Sequence, residues 1–201
     1  MVELTVVVAI AAVLLAVGLP ALGTYLQNSK LRNTAKTLFS SVQLARAEAI
    51  RRNLAVDFIL TSTAVSSTMA DSPVATTSGP NWVVRAVVPD AVSTNPPTYE
   101  PVEMKSWQDG SGQSVGATSA VAINSTASSV RFNGVGGVSN VGTGGPATVT
   151  LDVTNSVGGT CAADGGPMRC QRIIITPGGQ LRLCDPAVAS TATHDPRVCP
   201  S

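Results

Sequence analysis

Residues 4–26 of this chain, LTVVVAIAAVLLAVGLPALGTYL, contain no charged side chain, and one acid, Glu3, stands directly before them. Only Thr5, Thr24 and Tyr25 bring a polar group into the run. As a helix it would extend about 34 Å, enough to cross the hydrocarbon core of a bilayer. A buried core helix is rarely so uniformly apolar over this length. A cleaved secretory signal needs a basic n-region and an A-x-A-like site, and neither is clear here. The segment 1–26 therefore reads as a membrane-type helix. Gly18, Pro20 and Gly23 lie inside it, so a bend is expected around Gly18 and Pro20.

From Lys30 the pattern changes. Leu31, Ala35, Leu38, Val42, Ala45 and Ala49 recur at alternating steps of four and three, the stripe of an amphipathic helix. Phe39 widens the stripe, while Lys36, Ser40, Gln43 and Ala47 fall on the other side. No proline interrupts from Ala21 to Asn53. The apolar helix is therefore expected to continue as one rod through 27–53, with one face packed on whatever follows. Lys30, Arg32, Lys36, Arg46, Arg51 and Arg52 also gather here against a single acid, Glu48. The arginines among them are expected to pair with neighbouring chains or lipid headgroups.

Residues 54–201 read differently. Across the chain aromatics are 3% and charged residues 12%, with 18 Gly and 13 Pro, a composition that suits short strands and polar loops rather than a helical bundle. Strands are expected at 54–61, 81–88, 101–107, 129–133, 147–153, 171–176 and 180–184, each rich in β-branched residues and bounded by turn formers. Pro177-Gly178-Gly179 reads as a tight turn joining the last two. Residues 109–128 are low in complexity and read as a mobile loop, and 136–146 as a connector. The expected class is α+β, a long N-terminal helix packed on an antiparallel β head.

Cys161, Cys170, Cys184 and Cys199 all lie in the last fifth of the chain and contain no C-x-x-C pair, which argues against zinc and thioredoxin-like redox chemistry. Two disulfides and an oxidising compartment are the better reading. Three pairings are open. Sequence neighbours, Cys161–Cys170 and Cys184–Cys199, are the natural assignment because each closes a short Gly- or Pro-containing loop. That compartment conflicts with the positive-inside rule, which would place the basic stretch after Leu26 in the cytoplasm. Both hold if a basic segment once preceded Met1.

No catalytic set emerges. His194, the single histidine, sits beside Asp195 without a nucleophile motif such as G-x-S-x-G. Carboxylates are too scattered for calcium, and no glycine-rich stretch matches a phosphate-binding loop. No cofactor and no metal are expected, and an anchored periplasmic enzyme is the weakest reading.

An acid heading an apolar run with a mid-run proline, passing into an amphipathic helix, resembles the N-terminal helix of type IV pilins and pseudopilins. Those begin, after leader cleavage, with Phe-Thr-x-x-Glu-Leu, and Met1-Val2-Glu3-Leu4 matches the last four positions. LARAEAIRRNLAV (44–56), IIITPGGQLRLCDP (173–186) and DPRVC (195–199) resemble signatures of the GspH/FimT/FimU group of minor pilins and pseudopilins. The resemblance implies a pilin-like fold and an apolar helix that serves first in the inner membrane and then in a filament core. It implies a precursor leader removed by a prepilin peptidase and methyltransferase, a head in the periplasm, and a final place in an extracellular pilus or periplasmic pseudopilus. Partners would be other major and minor pilins or pseudopilins. Glu3 takes the role of the acid that pairs with the neighbouring subunit's N-terminal amine during assembly. The resemblance points first to a non-catalytic minor pilin assembling near the pilus tip, and next to a pseudopilin of type II secretion. A third role is capture of double-stranded DNA, carried in FimT-like members by a G-R-x-R motif on the last hairpin. The matching positions here are Gly179, Gln180, Leu181 and Arg182, so one arginine is absent. Arg169, Arg172 and Arg197 are the candidates to compensate, with Asp185 and Asp195 diluting the local charge.

Overall fold

One α-helix, α1 (Val2–Arg52), runs unbroken through both segments of the N-terminal region. The computed structural model describes residues 2–66, 69–89, 97–111, 121–155, 157–192 and 194–200. Within the helices, the side chains of residues 11, 13–21, 110 and 111 lie outside that description, and those of Gly18 and Pro20 fall among them. The stripe read from the sequence is the buried face: Leu31, Ala35, Leu38, Val42, Ala45 and Ala49 are all fully buried. Thr34 and Ser41 are buried with them. Their hydroxyls bond to the Trp107 and Thr37 carbonyls, at 3.4 and 3.1 Å, so neither is left unsatisfied in the core.

The helix stops at a defined cap. Asn53 adopts φ 52°, its N–H reaches the Ile50 carbonyl, and the Leu54 N–H reaches the Ala49 carbonyl, both at 3.3 Å. This is the paired bonding of a Schellman motif, with asparagine in the left-handed position that glycine more often takes.

Among the described residues nine strands follow in order: β1 (Ala55–Thr61), β2 (Asn81–Val88), β3 (Thr98–Ser106), β4 (Ala122–Ser125), β5 (Ser129–Phe132), β6 (Val138–Val141), β7 (Val149–Thr154), β8 (Gln171–Ile175) and β9 (Leu181–Cys184). A short helix, α2 (Trp107–Ser111), follows β3. The head is two antiparallel sheets, one ordered β3-β2-β1-β5-β6 and the other β4-β7-β8-β9. Both pack on α1. Alternate residues explain the arrangement. Val56, Phe58 and Leu60 of β1, Trp82, Val84 and Ala86 of β2, and Val130 and Phe132 of β5 join the helix stripe in one core. Val149, Leu151 and Val153 of β7, and Ile173 and Ile175 of β8, complete it from the second sheet.

The first sheet is covered on its other face too. Ile59, Met69, Ala70 and Val83 form a second small cluster there, with Met104 against it. That is why β1 and β2 read as nearly continuous apolar runs rather than as alternating ones. Pro101 in β3, an edge strand, sits beside a register shift at Val84/Arg85, where a missing N–H is tolerated.

Two of the loops read from the sequence contain strands. Residues 122–125 of the expected 109–128 loop pair with β7, and Val121 and Ile123 are fully buried; residues 112–120 lie outside the description. Residues 138–141 of the expected connector pair with β5. Both strands have only four residues, and non-local partners rather than local propensity decide them.

Candidate functional site

Three features of the surface stand out, and the first is the projecting half of α1. Val2, Leu4, Val6, Val7, Val8, Ile10, Leu22 and Leu26 are all exposed. At about 1 kcal/mol for each half-exposed aliphatic side chain, leaving them in water costs on the order of 10 kcal/mol. Glu3 lies in the first helical turn, where unpaired N–H groups and the helix dipole favour an anion. It has no ion pair among the described residues. Among those residues no helix is long and apolar enough to cross a membrane.

The head meets the helix through a polar collar at Gln27 and Asn28. The buried Asn155 amide donates to the Gln27 side-chain oxygen at 2.7 Å. The Asn28 oxygen accepts the Arg169 backbone N–H at 2.7 Å, while its amide reaches the Pro167 carbonyl at 3.3 Å. The Cys161–Cys170 disulfide closes the loop that supplies Pro167 and Arg169. The Cys184–Cys199 disulfide staples the tail to the end of β9. These are the pairings expected from sequence neighbours.

The second feature is a cleft of about 580 Å³ beside this collar, lined by Arg32, Lys36, Arg169, Gln171, Leu183, Cys184, Asp185 and Arg197. Two of its cations come from the helix and two from the stapled C-terminal region. Arg169 approaches the buried Asp185 carboxylate at 3.5 Å. The Arg197 guanidinium grips Asp195 at 3.0 and 2.7 Å and, together with the Arg197 backbone N–H, lowers its pKa to about 2. Arg32 and Lys36 are exposed and have no hydrogen-bond or ion-pair partner among the described residues. Two positive charges are thus uncompensated at one opening.

Arg182 of the last hairpin and the three arginines proposed to compensate, Arg169, Arg172 and Arg197, do not gather into one patch. Arg169 and Arg197 line the cleft. Arg172 points to the opposite face of its sheet, where its guanidinium holds Asp152 through bonds of 2.6 and 3.0 Å. Arg182 is exposed on that same outer face, beside Ile174 across the β8–β9 ladder, and has no ion pair among the described residues. Gly179, at φ 74°, lies against the Gly136 carbonyl so closely that a Cβ would overlap it. The same carbonyl accepts a bond from Arg46 at 3.0 Å. That glycine's place in the hairpin motif is thus also a packing requirement.

Arg51 and Arg52 both bind Glu48, and Arg52 also reaches Glu100 at 2.7 Å. Their bonds hold the Glu48 carboxyl at about 2, well below its usual value. The basic end of the helix is therefore engaged within the chain, whereas Arg32 and Lys36 are not. In the sequence these two stand only as part of a basic stretch. Their helical position opposite the core stripe was the available signal, but their C-terminal neighbours were not visible in it.

The third feature is a charged cluster on the outer face of the first sheet, Asp57 between Arg85 and Arg131. It stood in the sequence as one acid inside an apolar strand. His194 is exposed, and among the described residues no group of three His, Cys, Asp or Glu side chains is placed to hold a metal.

Comparison with known proteins places these features in a family. The sequence profile described as "Type II transport protein GspH" matches residues 34–189, more than half of the chain. Two crystal structures of the type IV minor pilin FimU of Pseudomonas aeruginosa (strain PAO1) are similar, each with a TM-score of 0.49. The form in space group P21 is 15% identical, over 79% of this chain and 91% of FimU. The form in P65 is 14% identical, over 79% and 96%. No curated protein sequence matches the chain.

Proposed function

The chain belongs to the GspH family of minor pilins and pseudopilins, and we propose that it is a minor pilin of a type IV pilus, a non-catalytic structural subunit taking part in assembly near the tip. The observation that carries this reading is α1 itself, one half buried against two sheets and the other an apolar run whose described side chains are exposed. A bare apolar rod has two physically reasonable surroundings, a bilayer and a bundle of like helices. A subunit that moves from inner membrane to filament occupies each in turn, with its head in the periplasm and then on the pilus. Before that transfer, the prepilin peptidase and methyltransferase process its precursor.

Glu3 is the docking charge in this scheme. A carboxylate at the tip of an apolar rod is costly to bury alone and tolerable beside an amine, so pairing with the neighbour's N-terminus sets axial register. The test is to express wild-type chain and Glu3→Ala, shear the filaments and quantify the chain in them. Wild-type chain in pili with Glu3→Ala left in the membrane supports the reading. Normal incorporation of Glu3→Ala refutes the assembly role. A chain found only in cells running type II secretion, and never in pili, favours the pseudopilin alternative, which uses the same parts.

Capture of double-stranded DNA is a second reading, favoured by one observation, the exposed and unpaired Arg182 on the outer face of β9. Binding in a gel-shift salt series that Arg182→Ala weakens supports it. Binding that ignores this substitution, or no binding at low salt, removes it.

A further inference from the structure

We propose that the cleft between α1 and the disulfide-stapled C-terminal region binds the phosphate of an anionic phospholipid headgroup while the chain is still held in the membrane. The inference rests on the reading of the apolar half of α1 as a membrane anchor, and adds to it a specific site.

Position is the first argument. With the apolar run ending at Leu26, a rise of about 1.5 Å per residue puts Asn28 about 3 Å, Arg32 about 9 Å and Lys36 about 15 Å beyond it. The headgroup layer on one side of a bilayer is roughly 5–8 Å deep. Arg32 therefore stands at its outer edge, and the long side chains of Arg32 and Lys36 reach back toward it. Tyr25, exposed one turn below Asn28, sits where aromatic side chains mark the membrane boundary. The Asn28–Arg169 bond fixes the cleft wall at this same level.

Chemistry is the second argument. The cleft offers two guanidinium groups from the head and two cations from the helix around about 580 Å³. Arg169 and Arg197 are oriented by Asp185 and Asp195 and keep donors to spare, since a guanidinium has five. Arg32 and Lys36 are unspent. Among the described residues that line the cleft Asp185 is the one carboxylate, and Arg169 pairs with it at 3.5 Å. A phosphate monoanion satisfies this set without burying a charge unpaired. Duplex DNA suits the site less well. Its phosphates form a long track, whereas this is a bounded recess beside a surface that the membrane itself occupies.

The test uses the full chain in dodecyl maltoside. Native mass spectrometry follows retention of phosphatidylglycerol or phosphatidylcholine by wild type and by Arg32→Gln/Lys36→Gln. Both positions are exposed and unpaired, so the double variant keeps its fold. The expected result is one saturable phosphatidylglycerol per wild-type chain, phosphatidylcholine not retained, and binding about 30-fold weaker in the variant. Equal retention of the two lipids, or a variant that binds like wild type, overturns the proposal. Inorganic phosphate displacing the lipid at equal concentration would make the cleft a free-anion site and overturn it as well. So would a 20-base-pair duplex binding more tightly than the lipid through the same two residues. Flotation on pure phosphatidylcholine vesicles separates this from the underlying reading. If wild type and variant both float yet neither retains phosphatidylglycerol, only the cleft proposal fails. If neither floats, the membrane anchor fails and the cleft proposal with it.

Discussion

Replacing Asp57 with alanine should cost about 3 kcal/mol of stability, most of it through Arg85 rather than Arg131. The structure sets that division. Asp57 is 6% exposed and accepts two bonds from Arg131, at 2.6 and 2.9 Å. Arg85, 11% exposed, holds its Nε 3.7 Å from the same carboxylate. Its Nη1 donates to the Ala70 carbonyl at 2.7 Å, and its guanidinium stacks 3.5 Å from the Tyr99 ring centre. Without Asp57, Arg131 can turn to water, because it is already 37% exposed. Its lost pair is then worth about 1 kcal/mol or less. Arg85 has no such exit. Its charge stays buried with carbonyls and a ring face but no counter-ion, the situation that costs several kcal/mol when one partner of a buried pair is removed. Arg85→Met removes that charge at similar volume and leaves Asp57 satisfied by Arg131, so it should cost about 1 kcal/mol. The double variant Asp57→Ala/Arg85→Met should then be more stable than the sum predicts, by about 2 kcal/mol. Urea unfolding of the full chain in detergent, followed by fluorescence of the buried Trp82 and Trp107, measures all three. Asp57→Ala costing under about 1 kcal/mol, or simple additivity in the double variant, would refute the assignment of a stranded charge at Arg85.

Other consequences are open to the same assay. Gly179→Ala sets a Cβ against the Gly136 carbonyl at a left-handed φ and should cost about 2–3 kcal/mol, whereas Gly178→Ala, with open space around it, should stay within about 0.5 kcal/mol. Removing the Cys184–Cys199 disulfide, whose cysteines are 15 residues apart, should lower stability by about 3 kcal/mol, with a matching fall in melting temperature that reductant reproduces in wild type. Glu48, held at about 2 in the fold against 4.5 unfolded, stabilises fully above pH 4.5 and loses that contribution as pH falls through about 2. The stability difference between wild type and Glu48→Gln should therefore shrink steadily across that window and vanish below it; a difference independent of pH would show that the arginine bonds do not act through the ionised carboxylate.

The head was less legible than the helix, for a physical reason. In α1 the buried face follows from a period that the sequence carries residue by residue, so Leu31 to Ala49 could be assigned before any contact was known. The Asn53 cap could not, because asparagine marks turns and helix ends alike and only the bonds to Ile50 and Ala49 decide between them. Strands β4 and β6, at four residues each, carry too little local signal to stand out. They exist because β7 and β5 offer them ladders. The arginines near the hairpin motif show a different limit. Four arginines near each other in sequence alternate between faces and elements, so Arg172 and Arg182 point away from the helix while Arg169 and Arg197 border it.

Sequence alone determined the rod, its change after Leu26 from an uncharged apolar run to an amphipathic stretch, the acid before that run and the stapled C-terminal region, because periodicity, charge and cysteine spacing are local properties of a chain. Only the tertiary structure decided which charges are spent. Arg51 and Arg52 are closed off by Glu48 and Glu100, and Arg172 by Asp152, while Arg32 and Lys36 are left open beside Arg169 and Arg197 from the far end of the chain. An ion pair depends on separation in space, and sheet packing sets that separation over distances the sequence does not display.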